Sequence, residues 1–140
     1  MIRTATEDDV LRIRSLVKSV PGFWRSSWRD DVLERGIRAA DGLAFVWDGD
    51  GRILGFVCAH DAGFLGYLSL LVVAQDARGK GIGKQLVRLV ERELAARGCA
   101  VLISDVWKDA QGFYRALWWT SPDVVLLRQR LHFANSTRAF

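Results

Sequence analysis

The first forty residues carry apolar side chains at the spacing of amphipathic helices. Ile2–Thr4 is a short strand candidate, and Thr6 with Asp9 three residues later forms a capping box that opens a helix. This helix is predicted to extend to about Val20 and to end at Pro21. The N-terminal part is thus predicted to be one strand followed by helical structure.

A second helix and a β-hairpin follow. Ser26 or Ser27 can cap the helix. Two β-rich runs, Leu43–Trp47 and Arg52–Ala59, flank Asp-Gly-Asp-Gly at residues 48–51, which is a strong signal for a tight turn. These runs are predicted to be neighbouring antiparallel strands.

The second half of the chain alternates strands and helices. The run Phe64–Ala74 is apolar on both faces, which is typical of a strand in the middle of a covered sheet. A helix over Gly81–Arg97 and a buried strand over Ala100–Val106 follow, an order that requires a right-handed crossover and a parallel strand pair. A short helix over Lys108–Leu117 and a last strand over Val124–Leu131 complete the prediction.

Composition bounds the class of protein. A chain of 140 residues, 50% of them hydrophobic, has the size and the apolar material of one domain, and we predict a single domain over residues 1–140. The apolar runs are shorter than the roughly 18 to 20 residues that span a bilayer, so we expect a cytoplasmic protein without membrane contact. Cys58 and Cys99 lack metal-ligand spacing and are expected to be buried free thiols.

The charge of the chain is concentrated locally. The net charge is +4, and four basic residues gather around one glycine-rich turn and the helix that it opens. A cluster of this kind favours a polyphosphate ligand over an extended nucleic-acid surface, so we expect no nucleic-acid partner. The four residues are Arg78, Lys80, Lys84 and Arg88.

The stretch Leu68–Lys84, LSLLVVAQDARGKGIGK, carries the most chemical information. Gly79, Gly81 and Gly83 allow backbone conformations that side chains forbid, and their N–H groups lie at the start of a helix, so the turn is a candidate anion cradle. The spacing excludes two known phosphate loops. The third glycine comes one residue early for a dinucleotide fingerprint, and only three residues separate Gly79 from Gly83 where a nucleoside-triphosphate loop needs four.

The pattern that remains is Q/R-x-x-G-x-G/A, which residues 78–83 match as R-G-K-G-I-G. In these residues the chain resembles the GNAT family of N-acetyltransferases, whose loop binds the pyrophosphate of coenzyme A. The predicted element order fits that family, and Phe113 and Tyr114 fall where it has a phenylalanine-tyrosine pair. The resemblance implies an α/β (α+β) fold with a mixed, mostly antiparallel central sheet, a parallel strand pair around the glycine loop and helices on both faces.

The resemblance also implies the cofactor site. Acetyl-CoA is the expected cofactor, with coenzyme A as the product. Main-chain groups of the central strand would pair with the pantetheine arm, loop amides would take the pyrophosphate, and the next helix would add further contacts. The expected cofactor-binding residues are Leu71, Val72, Val73, Arg78, Gly79, Lys80, Gly81, Ile82, Gly83, Lys84, Asp109 and Phe113.

Two catalytic roles follow from the same resemblance. Tyr114 is the expected proton donor to the leaving thiolate, since a phenol of ordinary pKa can protonate a more basic group. The general base is open because the central strand offers only Tyr67 and Ser69 where many family members have a carboxylate. Asp105 is the favoured candidate, and the alternatives, His60, Asp61 and ordered water, stay open.

The acceptor is expected to be a primary amine, either of a small molecule or of a peptide. Trp24 and Trp28 are predicted to wall its pocket and Asp30 to attract a cationic amine, with core packing as the competing interpretation of both indoles. A catalytically silent acyl-CoA-binding module is the alternative of a different class. The protein is expected to be a monomer or a homodimer, and no metal site is predicted.

One position departs from the family pattern. After the phenylalanine-tyrosine pair the family usually has x-x-Leu-Gly-Phe, whereas this chain has Trp118 in place of the glycine. A tryptophan cannot cheaply adopt the left-handed conformation of a helix cap. We therefore expect the helix to end differently here or the indole to fill a gap.

Overall fold

The computed structural model describes residues 1–131. The chain divides into two compact units, Met1–Ser104 and Asp105–Phe140. The first unit contains a five-stranded sheet in the order β1-β2-β3-β4-β5, in which only the β4–β5 pair is parallel. The strands are β1 (Ile2–Thr4), β2 (Ala44–Gly49), β3 (Arg52–Asp61), β4 (Gly66–Val73) and β5 (Leu102–Ile103).

Within residues 1–131, three α-helices belong to the first unit and one to the second. A 3₁₀ turn (Glu7–Asp9) leads into α1 (Val10–Ser19), and α2 (Val32–Ala40) and α3 (Ile82–Ala96) follow. The second unit contains a 3₁₀ turn (Lys108–Ala110) and α4 (Gln111–Ala116). Of the helices in residues 1–131, none is long and apolar enough to cross a membrane.

Helices cover both faces of the sheet. The Sγ of Cys58 lies 3.4 Å from the carbonyl oxygen of Gly36, which places α2 on one face of β3. A Cβ on Gly55 would lie 2.8 Å from Ile82, so α3 covers the other face, as the odd separation of residues 55 and 58 requires. The predicted mixed sheet with helices on both faces is confirmed.

Asp9 joins the start of α1 to the sheet. Its carboxylate is 1% exposed and accepts hydrogen bonds from Arg3 at 2.7 and 2.8 Å and from Arg12 at 2.7 Å. The backbone N–H of Thr6 donates to it at 2.9 Å, so the predicted capping box is present. The hydrogen bonds of Arg3, above all, hold the pKa of this carboxyl far below its usual range.

The predicted hairpin is also present. β2 ends at Gly49 and β3 begins at Arg52, so the turn has two central residues, Asp50 and Gly51. Both have positive φ, 57° and 89°, as a type I′ turn requires. The two strands pair antiparallel, as predicted.

Three element predictions are wrong. The second helix begins at Val32 and not near Ser26, so Trp28 lies in a loop. The buried strand predicted over Ala100–Val106 is reduced to Leu102–Ile103, with Ile103 41% exposed, since it pairs with β4 over only two residues. The predicted strand Val124–Leu131 is not a strand, since it forms no ladder in the described part of the chain. The five apolar side chains of that segment, Val124, Val125, Leu126, Leu127 and Leu131, are 68 to 87% exposed.

Candidate functional site

The glycine loop between β4 and α3 has the conformation that its sequence predicts. Gly79 and Gly81 both have φ of +81°, in the left-handed region that disfavours side chains. A Cβ on Gly79 would meet no atom within 4 Å, so the backbone conformation and not the available space requires glycine. The loop surface is open, and exposed Arg78, Lys80 and Lys84 surround it.

The loop leads directly into the N-terminus of α3. Gly81 is the N-cap residue, and Ile82 and Gly83 are buried in the first turn. The N–H groups of a first helical turn have no partner within the helix, and the helix dipole adds partial positive charge there. The loop and the helix start together present an anion-binding surface.

The strand before the loop has an open edge. The N–H of Ala74 donates to the carbonyl of Leu54 in β3 at 2.8 Å. Because peptide groups of a strand alternate between its two edges, those of Leu71 and Val73 point away from β3. The peptide groups of Val72 face β3 instead. Of the three strand residues predicted to bind the cofactor, two thus present main-chain donors and acceptors to the open edge.

This edge is closed at its other end. β5 pairs with β4 only at Gly66 and Tyr67, and the hydroxyl of Ser104 donates to the carbonyl of Leu68 at 2.9 Å. Beyond Leu68, β5 no longer accompanies β4 in the described residues. The result is a stretch of β4 edge, unpaired by β5, that begins at the glycine loop and ends beside Leu68.

A β-bulge lies at the closed end. Cys58 of β3 pairs with Leu70, and the next residue pairs with Leu68, so Ser69 is the extra residue of β4. Its hydroxyl lies 2.7 Å from His60 Nε2 and 3.1 Å from the carbonyl of Cys58. Ser69 is exposed and His60 is half-buried, so the pair is accessible to a ligand.

The predicted acceptor residues lie in the loop between α1 and α2. The Trp24 and Trp28 rings meet edge to face at 5.2 Å. Lys18 and Arg14 of α1 lie 4.9 and 5.7 Å from the centre of the Trp24 ring. The backbone carbonyl of Asp30 accepts a hydrogen bond from Arg14 at 2.8 Å. Trp24 and Trp28 are brought together, but cations of the chain itself already interact with the Trp24 ring.

The second unit contains the remaining predicted residues. Tyr114 is 8% exposed and contacts the rings of Phe113 and Trp119 at 5.0 and 4.9 Å. Burial, above all, and the negative charge of Asp105 raise the pKa of Tyr114 to about 12. The expectation of an ordinary phenol pKa is wrong, and the hydroxyl stays protonated at neutral pH. Asp109 is exposed in the 3₁₀ turn that precedes α4.

A model of a known protein family matches residues 10–117, and its description is the acetyltransferase (GNAT) family. The match covers more than half of the chain. The protein belongs to the GNAT family of acetyltransferases. The family prediction made from the glycine loop is confirmed, and with it the prediction that the protein is an enzyme of the N-acetyltransferase class.

Known relatives agree with this assignment. An acetyltransferase of Yersinia pestis (strain Pestoides F) is 32% identical over 109 residues, which cover 74% of this chain and 77% of that protein. An acetyltransferase of Pectobacterium atrosepticum matches with the same identity and coverage.

Solved GNAT structures share the fold. The aminoglycoside N-acetyltransferase AAC(6')-Iy, in complex with a bisubstrate analog, has a TM-score of 0.74 and 24% identity, covering 94% of this chain and 98% of its own. Glucosamine-6-phosphate N-acetyltransferase from Arabidopsis thaliana has a TM-score of 0.72 and 19% identity, with coverages of 92% and 97%.

The sequence left His60 as an open candidate for the base, whereas Ser69 was only a central-strand residue in a place where many family members have a carboxylate. Nothing in the sequence joined the two. His60 and Ser69 lie nine positions apart on neighbouring strands. Whether their side chains meet depends on the register of β3 and β4, which the sequence does not give. The signal that exists is weak. It consists of two polar residues in otherwise apolar strands.

Proposed function

We propose that the protein is an acetyl-CoA-dependent N-acetyltransferase that transfers an acetyl group to a primary amine of a small molecule by direct attack in a ternary complex. The observation that carries the proposal is the continuity of two features on one strand. Leu71 and Val73 offer peptide groups along the open edge of β4, and the left-handed glycines 79 and 81 follow after one short turn. A ligand with an extended amide-containing arm would match the strand edge, and a diphosphate at the end of that arm would match the glycine loop.

The residues of the first unit fit acetyl-CoA by their chemistry. Edge peptide groups of Leu71 and Val73 can pair with the amides of a pantetheine arm as an added strand does. The amides from Arg78 to Lys84 and the N-terminus of α3 suit a pyrophosphate, and the three exposed cations add attraction. When bound, acetyl-CoA supplies the activated acetyl thioester.

Specific roles of the second unit are proposals carried from the sequence. Tyr114 is the proposed proton donor, and its raised pKa keeps the phenol protonated at neutral pH but makes it a weaker acid than an ordinary phenol. Asp105 remains a candidate base. Phe113 and Asp109 are proposed cofactor contacts, and Trp24, Trp28 and Asp30 are proposed acceptor contacts.

Calorimetry with acetyl-CoA tests the donor site. Wild-type protein is expected to bind, and Gly81→Ala to bind at least tenfold more weakly, because a Cβ at φ +81° costs about 1–2 kcal/mol and distorts the loop. Gly98→Ala is the matched control. Gly98 has φ of +86° and an open Cβ position at the far end of α3, so the same backbone strain arises away from the loop. Absence of binding by folded wild-type protein refutes the proposal.

A thiol-release assay tests the acceptor class. Candidate amines are kanamycin, glucosamine 6-phosphate, spermidine and a short peptide with a free N-terminus. Release that depends on one of the first three amines supports a small-molecule acceptor, and release only with the peptide supports peptide acetylation. Coenzyme binding without release supports the silent acyl-CoA-binding module. The single-domain organisation, the cytoplasmic location, the absence of nucleic-acid binding and a monomeric or homodimeric state stay predictions.

A further inference from the structure

We propose that Ser69 and His60 form the proton relay that deprotonates the attacking amine, an inference that rests on the proposed function. The relay begins with the short contact of 2.7 Å between Ser69 Oγ and His60 Nε2. Ser69 is exposed whereas His60 is half-buried, so the hydroxyl is the part of the relay that a substrate reaches first.

The position of Ser69 along β4 supports this role. The open edge of β4 runs from Val73, next to the glycine loop, back to Leu68, where the Ser104 hydroxyl occupies the strand carbonyl. Ser69 lies four residues before Val73, which corresponds to a distance of about 13 Å along the strand. A ligand arm that enters at the loop and follows the edge therefore has its far end beside Ser69. That end carries the reactive group of a thioester.

The face of the sheet is also the appropriate one. Cys58 Sγ lies 3.8 Å from His60 Nε2 and also contacts the Gly36 carbonyl, so the pair lies on the face that α2 covers. The loop that leads into α2 carries Trp24 and Trp28, the proposed acceptor contacts. The acceptor and the relay thus belong to the same side of the sheet.

The hydrogen bonding of Ser69 allows a relay. Its one hydroxyl proton has two acceptors, the Cys58 carbonyl at 3.1 Å and His60 Nε2 at 2.7 Å. When the proton lies toward Nε2, the imidazole is the tautomer protonated at Nδ1, and the Ser69 oxygen is free to accept a proton from a third group. A small rotation of the hydroxyl therefore prepares the pair.

Few ionisable groups face His60 in this cluster. From β3, Cys58 is at 3.8 Å, and burial raises the pKa of its thiol to about 11, so it stays neutral. From β4, the Tyr67 ring stacks on the imidazole at 6.4 Å. From α2, the uncharged carbonyl of Gly36 contacts Cys58 Sγ at 3.4 Å. Asp61 follows His60 in sequence, and its carboxylate accepts from the Gly63 N–H at 3.0 Å.

The step balances without a further reactant. The amine nitrogen bonds to the acetyl carbon and becomes positively charged. Ser69 Oγ accepts its proton while the hydroxyl proton passes to His60 Nε2, which becomes an imidazolium. The carbonyl then re-forms as the carbon–sulfur bond breaks. The thiolate takes a proton from the general acid, solvent reprotonates that acid, and the imidazolium returns its proton to solvent.

The test uses full-length protein and the amine that gives the largest release in the panel above. His60→Gln keeps a polar contact to Ser69 but cannot accept a proton near neutral pH. We expect kcat/KM for the amine to fall about 100-fold, the lower end of the range for acid–base catalysis, and the acidic limb of its pH profile to disappear. Acetyl-CoA binding by calorimetry should stay within about twofold of wild type.

Four further variants separate chemistry from structure. Added imidazole should restore turnover to His60→Ala but not to Ser69→Ala, whereas Ser69→Thr, which keeps a hydroxyl, should retain activity within about threefold. Asp61→Asn tests the alternative base next to His60, and loss of the acidic limb in Asp61→Asn but not in His60→Gln overturns the relay.

The outcomes distinguish this inference from the proposed function. No acceptor-dependent release by wild-type protein overturns the function and the relay together. Normal wild-type turnover with an unchanged acidic limb in His60→Gln overturns the relay alone, as does loss of that limb in Asp105→Asn but not in His60→Gln.

Discussion

Trp118→Gly is expected to be more stable than Trp118→Ala, although both variants remove the same indole. Trp118 has φ of +72° and closes α4 with the hydrogen bonds of a Schellman motif. Its N–H donates to the Arg115 carbonyl at 3.0 Å, and the Trp119 N–H donates to the Tyr114 carbonyl at 3.1 Å. The expectation that tryptophan would avoid this conformation is wrong. The conformation is the one that Gly98 adopts, with φ of +86°, after α3.

The magnitude follows from two opposing contributions. A left-handed conformation costs a residue with a Cβ about 1–2 kcal/mol, and the greater freedom of glycine in the unfolded chain returns about 0.5–1 kcal/mol of that cost. The indole is 87% exposed, so only about an eighth of its surface is covered. At about 25 cal/mol per Å² this burial contributes less than about 1 kcal/mol.

Trp118→Ala separates the two effects. Alanine removes the indole as glycine does but keeps the Cβ and the strained conformation. We expect Trp118→Gly to exceed Trp118→Ala in unfolding free energy by about 0.5–1 kcal/mol, or about 2–4 °C in Tm. Urea titrations and thermal melts give these differences, and hydrogen exchange of the residue 118 and 119 amides reports on the cap itself. Equal stability of the two variants, or a less stable glycine variant, refutes the reasoning.

Four other variants have expected outcomes. Asp9→Asn should lose about 2–3 kcal/mol in denaturant titrations at pH 7, because it leaves the partly buried Arg3 without its carboxylate. Since the pKa of Asp9 is lowered on folding, its contribution is complete above about pH 4 and is lost as the pH falls further, so the gap to wild type must narrow in acid. Gly55→Ala should lose about 1–3 kcal/mol, because its Cβ would lie 2.8 Å from the first residue of α3, whereas Gly36→Ala, with 3.9 Å of room, should be neutral or stabilising. Tyr114→Phe should lower turnover at least about tenfold without a change in acetyl-CoA affinity, and a loss below threefold contradicts the role of the phenol as acid.

The fold could be predicted where local chemistry and burial act together. The hairpin turn at Asp50 needs two positive φ values, and its Asp-Gly pair supplies residues that tolerate them. The helix after Gly81 has both a start signal and an apolar stripe. The prediction failed for Val124–Leu131, because strand composition alone does not supply a partner for the backbone. The prediction also failed for the start of α2. Ser26 and Ser27 can cap a helix only if the residues after them are helical, and here the helix begins at Val32.

The candidate site also has a part that the sequence predicts and a part that it does not. Its anion loop follows from residue types, since Gly79 and Gly81 are the positions where positive φ is needed. The open edge follows from pairing, which a single sequence does not contain. The apolar run predicted Leu71 and Val73 on a central strand, but only the two-residue length of β5 leaves their peptide groups unpaired by β5.

The bulge at Ser69 explains why the paired and unpaired parts of β4 share one edge. The Leu68 carbonyl and the peptide groups of Leu71 lie on the same edge of β4, although three residues separate them. In a regular strand an odd separation places peptide groups on opposite edges. The extra residue Ser69 shifts the alternation of peptide groups by one position. The Leu68 carbonyl and the Leu71 peptide groups therefore lie on the same edge of β4. The same insertion brings the Ser69 hydroxyl to His60. Hydrophobic alternation does not reveal it, since the run is apolar on both faces and a shift of one residue leaves its pattern unchanged.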